Sequence, residues 1–133
     1  MDELNRVPMR RDLDIQEILT EGRRLVAEGW CQGAMAKDAQ GRAVEASSLD
    51  AIAFDPMGAV ERAVLNLLGG DRGTLIQNYY KGFYALAWGL HTHSRLSAWN
   101  DDALRCHADV LERFDLALSQ AARPVPHAPR VAA

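Results

Sequence analysis

The run "LIQNYYKGFYALAWGL" (75–90) sets the strongest limit on what this chain can fold into. At 100° per residue, Leu75, Ile76, Tyr79, Tyr80, Phe83, Tyr84, Leu86, Ala87 and Leu90 cover about half of a helix circumference. A surface helix carries a narrower stripe, so this width predicts the central helix of the domain. Along one flank Asn78, Gly82, Ala85 and Gly89 follow at spacings of four, three and four. Glycine costs a helix interior about 1 kcal/mol against alanine, so such a stripe points to close approach by another backbone. That backbone belongs either to an internal helix or to a second subunit, and on the second reading Gly82, Ala85 and Gly89 are interface residues. Trp88 stands apart from the ring group, beside Gln77, Lys81 and Arg95 on the polar side. It is either a lid over the core edge or an interface anchor.

Three further helices are expected around that one. In "DLDIQEILTEGRRLVAEG", Asp12 or Asp14 is the cap, and Ile15, Ile18, Leu19, Gly22, Leu25 and Val26 share a face that ends at Gly29. In "DPMGAVERAVLNLLGG", Asp55 is the cap and Pro56 the first helical residue. Met57, Val60, Ala63, Val64, Leu67 and Leu68 form its stripe, and Gly69-Gly70 stop it. The last helix takes Asn100 as its cap, with Asp101 and Asp102 against the positive end of the dipole. Its buried arc is Ala103, Leu104, His107, Ala108, Val110, Leu111, Phe114 and Leu118.

Between the first two helices the period changes. "WCQGAMAKDAQGRAV" reads as a short hairpin over 30–37 and 42–45, with Asp38 and Gly41 at the ends of a type I turn. "EASSLDAIAF" is a connector that adds a turn of helix or an edge strand. The expected fold is therefore α+β and mainly α: four helices with one short β-hairpin between helices 1 and 2. Residues 1–11 read as a loose segment and 12–121 as a single compact domain. Residues 122–133, "ARPVPHAPRVAA", carry three prolines and no amphipathic pattern and read as disordered.

Charge and composition narrow the function classes. A net charge of −3 and a pI near 5.8 provide no positive field for nucleic acid or anionic lipid. Two cysteines, Cys31 and Cys106, are too few for a disulfide framework. "MDELNRVPMRR" lacks the apolar core of a signal peptide, and no apolar run reaches membrane-spanning length. The expectation is a reduced cytoplasmic protein with two free thiols and no membrane partner.

Chemistry-bearing residues are few. A metal site would draw on Cys31, His91, His93, Cys106 and His107, but on a helix residues two apart point about 200° away from each other. No metal and no cofactor are expected. His107 can act as a base with a carboxylate from Asp101, Asp109 or Asp115, with Arg105 as an anion contact, although no nucleophile motif accompanies it. Leu104 and Leu111 flank it at helical spacing, so a packed histidine bonded to a backbone carbonyl is the competing reading. In "GGDRGT" (69–74), Arg72, Gly73 and Thr74 form a candidate anion loop at a helix start. It lacks the Walker spacing and lysine, and a glycine stop followed by a threonine start accounts for it.

"GWCQGAMAKDAQGRAV" (29–44), "MGAVERAV" (57–64) and "LSAWNDDALRCHADVLERFDLAL" (96–118) together resemble a family of small bacterial and phage-associated proteins whose domain has no assigned function. The resemblance rests on a Trp-x-x-Gly-Ala opening, here Trp30, Gly33 and Ala34. It rests equally on a closing Trp-Asn-Asp, Arg and His-Ala-(Asp/Glu)-Val-Leu, here Trp99, Asn100, Asp101, Arg105, His107, Ala108, Asp109, Val110 and Leu111. The chain departs from the pattern at "AFDPMGA", where a cysteine-containing version is expected. The resemblance implies a compact, mainly helical domain and assigns no activity.

The function expected from these residues is a non-enzymatic interaction or regulatory module with a protein partner or a homo-oligomer, acting through the Gly82/Ala85/Gly89 flank and Trp88. The alternative is a small hydrolase- or transferase-like enzyme built on His107, with Arg105 or Arg72 holding an anion. A third is a phage-associated inhibitor of a host nucleic-acid enzyme.

Overall fold

The computed structural model describes residues 12–90 and 95–122. The expectations for residues 1–11, for His91 and His93, and for the tail beyond Ala122 lie outside the described residues. Within them the order is α1 (Ile15–Glu28), β1 (Ala36–Lys37), β2 (Ala43–Val44), β3 (Ala53–Phe54), α2 (Pro56–Leu67), α3 (Leu75–Ala87), α4 (Leu96–Asp101) and α5 (His107–Ala121). The fold is mainly α with a small antiparallel sheet.

Local signals place the first two long helices where the sequence puts them. Asp14 precedes α1, and the Glu17 carboxylate accepts its N–H at 3.1 Å in a capping box. Asp55 caps α2 through the Gly58 N–H at 2.6 Å, with Pro56 in the first turn. The faces of α1 and α2 meet: Ile18, Leu19 and Val26 are buried with Val60 and Val64. Phe114 and Val110 of α5 complete that core, with the Phe114 ring lying over Gly22. Each such side chain contributes about 1.5–3 kcal/mol on removal from water.

The sheet is smaller and more connected than a lone hairpin. The Asp38–Gly41 turn forms as read, with the Gly41 N–H donating to the Asp38 carbonyl at 2.9 Å. β1 pairs with β2 on one side and with β3 on the other, in the order β2-β1-β3. β3 comes from the connector, so of its two readings the strand is realised, and Trp30 bridges to Phe54 beside it. Gly29 ends α1 in extended backbone. It is needed for proximity: a Cβ there would lie 2.2 Å from the Ile52 carbonyl oxygen.

Two expectations are corrected. The last helix does not start at Asn100. The chain forms a short α4, breaks over 102–106 and restarts as α5 at His107, with Cys106 at the cap. The break has a local cause: the Asp102 side chain accepts the Leu104 N–H at 2.9 Å and its carbonyl accepts the Arg105 N–H at 2.9 Å, bonds that compete with helix continuation. Leu104 is accordingly 91% exposed, and Ala103 and Ala108 are exposed as well.

The second correction is the orientation of α3. Its buried residues are Asn78, Gly82, Leu86 and Ala87, whereas Ile76, Tyr80 and Tyr84 face outward. The narrow flank of small residues is the core side because α1 and α2 pass close to it. A Cβ at Gly82 would lie 2.8 Å from Val60 Cγ1 and 2.9 Å from Ile18 Cγ2.

Candidate functional site

The two motifs that flank the core in sequence meet in space. Trp30 donates its indole N–H to Asn100 Oδ1 at 2.7 Å, and Asn100 returns a hydrogen bond from Nδ2 to the Cys31 carbonyl at 3.1 Å. Gln32 Nε2 donates to the carbonyls of Asn100 and Asp102 at 2.7 and 2.9 Å, closing the C-terminal end of α4. Gly33, at φ 81°, donates its N–H to the Asp101 carboxylate at 2.9 Å. Residues 30–33 are thus clasped by 100–102, and Asn100, fully buried, is the pin. A hydrogen-bonded buried amide is costly to remove, which marks this cluster as structural.

His107 belongs to the same cluster. Its Nε2 lies 2.6 Å from the Val26 carbonyl in the last turn of α1, and its ring stacks on Trp30 with centroids 5.9 Å apart. It is therefore a packed histidine held against a backbone carbonyl, that of Val26 in α1. Arg105 lies over the Trp99 ring at 4.1 Å and donates to the Trp99 carbonyl at 2.8 Å, with Asp109 at 3.9 Å. Of the three candidate catalytic residues, Asp101 holds Gly33, Arg105 holds Trp99 and His107 holds α1. Cys31 is buried, and desolvation pushes its thiol up to about 11, which suppresses thiolate chemistry. Burial also raises Asp55 to about 6, but its carboxylate is committed to the α2 cap.

The candidate anion loop is likewise occupied by the chain itself. The Asp71 carboxylate accepts the Gly73 N–H at 2.9 Å, Thr74 is buried against α3, and Arg72 is exposed at a cleft shared with Arg62 and Asn66. Among the described residues no group of three His, Cys, Asp or Glu side chains is placed to hold a metal.

The surface that stands out is the outer face of α3. Ile76, Tyr80, Tyr84 and Trp88 recur every fourth residue and are 67, 47, 51 and 61% exposed. The Tyr80 and Tyr84 rings stack at 5.8 Å, with Phe83 edge-on to both. On one side of this stripe a groove of about 460 Å³ runs between α3 and α5, walled by Ile15, Lys81, Ala85, Ala117, Gln120 and Ala121. On the other side a cleft of about 360 Å³ is bordered by Met35, Glu61, Leu75 and Tyr79.

The expected interface residues divide across this geometry. Gly82 is inside the core and unavailable to a partner. Gly89, at φ 88°, stands beyond the end of α3, where Arg113 donates to the Leu86 carbonyl at 2.7 Å and also to the Trp88 carbonyl. Ala85 and Trp88 line the larger groove. Tyr80, Tyr84 and Ile76 were missed as surface residues because their apolarity assigned them to the core. The signal that finds them is the small-residue flank opposite: a helix has one tightly packed side, and Gly82 marks it.

Fold and clusters together define a small helical domain whose polar motifs lock its own chain while one helix leaves aromatic side chains in solvent. The chain belongs to a family of unknown function, DUF6197, whose model matches residues 10–120. No curated protein matches the chain. No solved structure matches it either.

Proposed function

We propose that the protein is a cytoplasmic, non-enzymatic interaction module that docks a protein partner or a second copy through Ile76, Tyr80, Tyr84 and Trp88. The observation that carries this is the stripe itself: four large, largely apolar side chains, each about half exposed or more, three in a row on α3 and the fourth, Trp88, at its C-terminal cap. Tyr and Trp bury large area at small entropic cost and dominate contact energies at interfaces, and contiguous exposed apolar patches on small domains mark binding sites. The enzymatic alternative draws less support, since His107, Arg105 and Asp101 are each engaged by the chain's own backbone. A bacterial or phage-associated setting, as the sequence resemblance implies, suits a small chain that acts by occupying a partner.

The test is site-specific photo-crosslinking in the native host, with a benzophenone amino acid at Ile76 and, as control, at exposed Thr20 on α1. A discrete adduct from Ile76 alone, lost in Tyr80→Glu and Trp88→Glu variants that still fold, is expected. An absence of adducts from Ile76, or the same adducts from Thr20, would overturn the assignment.

A further inference from the structure

Resting on the reading of the α3 face as a docking surface, we infer that its occupant is a second copy of this chain, with the two α3 helices packed antiparallel across a two-fold axis. The axis passes between Tyr80 and Tyr84, and Trp88 of each copy enters the cleft beside Leu75 and Tyr79 of the other. The shape of the face selects this occupant. Ile76, Tyr80, Tyr84 and Trp88 form a ridge, and the two hollows beside it are offset. The groove against α5 adjoins Lys81 and Ala85, each one position after a stripe residue, and follows the C-terminal half of α3. The cleft adjoins Leu75 and Tyr79, each one position before a stripe residue, and follows the N-terminal half. One residue is a turn of about 100° round the helix, so the hollows lie on opposite flanks as well as at opposite ends.

A helix laid over the ridge meets both hollows only if it crosses α3 on one diagonal. That diagonal has the sense of the commonest helix crossing, about −50°, in which ridges of residues four apart interdigitate. α3 carries such a ridge itself. In an antiparallel crossing, Ile76 of the second copy reaches the groove floored by Ala85, Ala117 and Ala121, while its Trp88 reaches the cleft. The two-fold operation returns the same two contacts in the opposite direction, so one set of side chains fills all four hollows.

Charge and area agree with a second copy. Tyr80 and Tyr84 at the axis are uncharged, so no charge there meets its own image, and Lys81 beside them is paired with Asp12. These two rings stack within one chain, and across the axis they meet a second such pair. An aromatic side chain buries about 150–250 Å² when covered, so the exposed parts of the stripe offer roughly 400–500 Å² per copy. Both copies, with the walls of the hollows, come to about 1,000–1,200 Å², the lower end of specific interfaces. The dimer is accordingly one of micromolar rather than nanomolar strength.

The experiment uses the purified full chain. Sedimentation velocity from about 1 to 500 µM should pass from monomer to dimer. The association constant should fall at least about tenfold in Trp88→Glu and in Ile76→Arg, each checked for native helicity by circular dichroism. A benzophenone amino acid at Ile76 should give an adduct of dimer mass, with the crosslink mapped to residues 117–121 of the other copy. A monomer at every concentration overturns the inference, as does a dimer that both substitutions leave intact. A crosslink joining position 76 to position 76 overturns it too, since it sets the helices parallel. If either substitution unfolds the chain, the crosslink position still decides. The two ideas fail separately: a foreign adduct at Ile76 in the host, with a monomer in solution, removes the second copy and keeps the docking surface. A monomer in solution and no adduct in the host removes both.

Discussion

Alanine at position 58 is favoured by helix propensity and opposed by the tertiary structure, and the second effect should win. Gly58 is the third residue of α2, where alanine is worth up to about 1 kcal/mol over glycine. A Cβ there would stand 1.9 Å from the Met35 carbonyl oxygen and 2.7 Å from its carbon, against ordinary contact at 3.4 Å or more. The obstacle is backbone, so no rotamer change relieves it, and α2 must withdraw from β1 by more than an ångström. That movement breaks the Asp55 N–H bond to the Met35 carbonyl (3.1 Å) and disturbs the Gly58 N–H bond to the Asp55 carboxylate (2.6 Å). Losing a neutral and a charge-assisted hydrogen bond costs about 2–4 kcal/mol, with strain added and the propensity gain subtracted. A net loss of about 3 kcal/mol follows, or roughly 12–20 °C in Tm for a domain of this size. Urea titration followed by far-ultraviolet circular dichroism measures it, with Gly82→Ala as the comparison. At Gly82 the opposing atoms are side-chain methyls of Val60 and Ile18 rather than backbone. Both residues are β-branched and buried, so relief comes from small shifts of α1 and α2, and the loss should be about 1–3 kcal/mol less the propensity gain, smaller than at Gly58. If Gly58→Ala is neutral or stabilising, the close α2–β1 approach is wrong.

Asp55 predicts a pH dependence. Its pKa is raised in the fold, from the usual 3.8 to about 6, so its protonation stabilises: the contribution is complete below about pH 4 and is lost as pH rises through 6. Relative to Asp55→Ser, which keeps a capping oxygen without the charge, the wild type should gain up to about 3 kcal/mol between pH 7 and pH 4 in urea titrations; a flat difference refutes this. Asn100→Ala should cost at least about 3 kcal/mol, because it leaves the Trp30 indole N–H and the Cys31 carbonyl without their partner; a loss under 1 kcal/mol would refute the clasp. A thiol reagent should modify exposed Cys106 at once and buried Cys31 only on unfolding, giving one fast equivalent in a timed assay.

Helix ends fixed by neighbouring residues were legible in the sequence. Asp55, Pro56 and the glycine pair at 69–70 delimit α2 without reference to the rest of the chain, and the Asp38–Gly41 turn is equally local. What was not legible depended on tertiary competition. Asn100-Asp101-Asp102 reads as a cap followed by acidic residues, yet Asn100 is drawn inward by Trp30 and Cys31, and Asp102 uses its side chain to end a helix. The pattern for starting a helix and the pattern for stopping one share the same residue types. On α3, ranking positions by hydrophobicity put Tyr80 and Tyr84 inside, whereas packing distance chose Gly82 and Asn78. Asn78 is buried because it serves two elements, accepting the Leu13 N–H at 2.9 Å and donating to the Thr74 carbonyl at 3.0 Å. Of the candidate site, the place of Trp88 on the polar side of α3 was readable from sequence, while the exposed row beside it required knowing which side of α3 faces the core.

The clasp between residues 30–33 and 100–102 also bears on kinetics. Its members lie about seventy residues apart, and closing so long a loop is opposed by chain entropy until other contacts have gathered the ends. Bonds of that kind are expected to form after the rate-limiting step and to add little to the speed of folding. Their weight then falls on the reverse reaction, so the clasp is expected to set how long each molecule stays folded once it has formed.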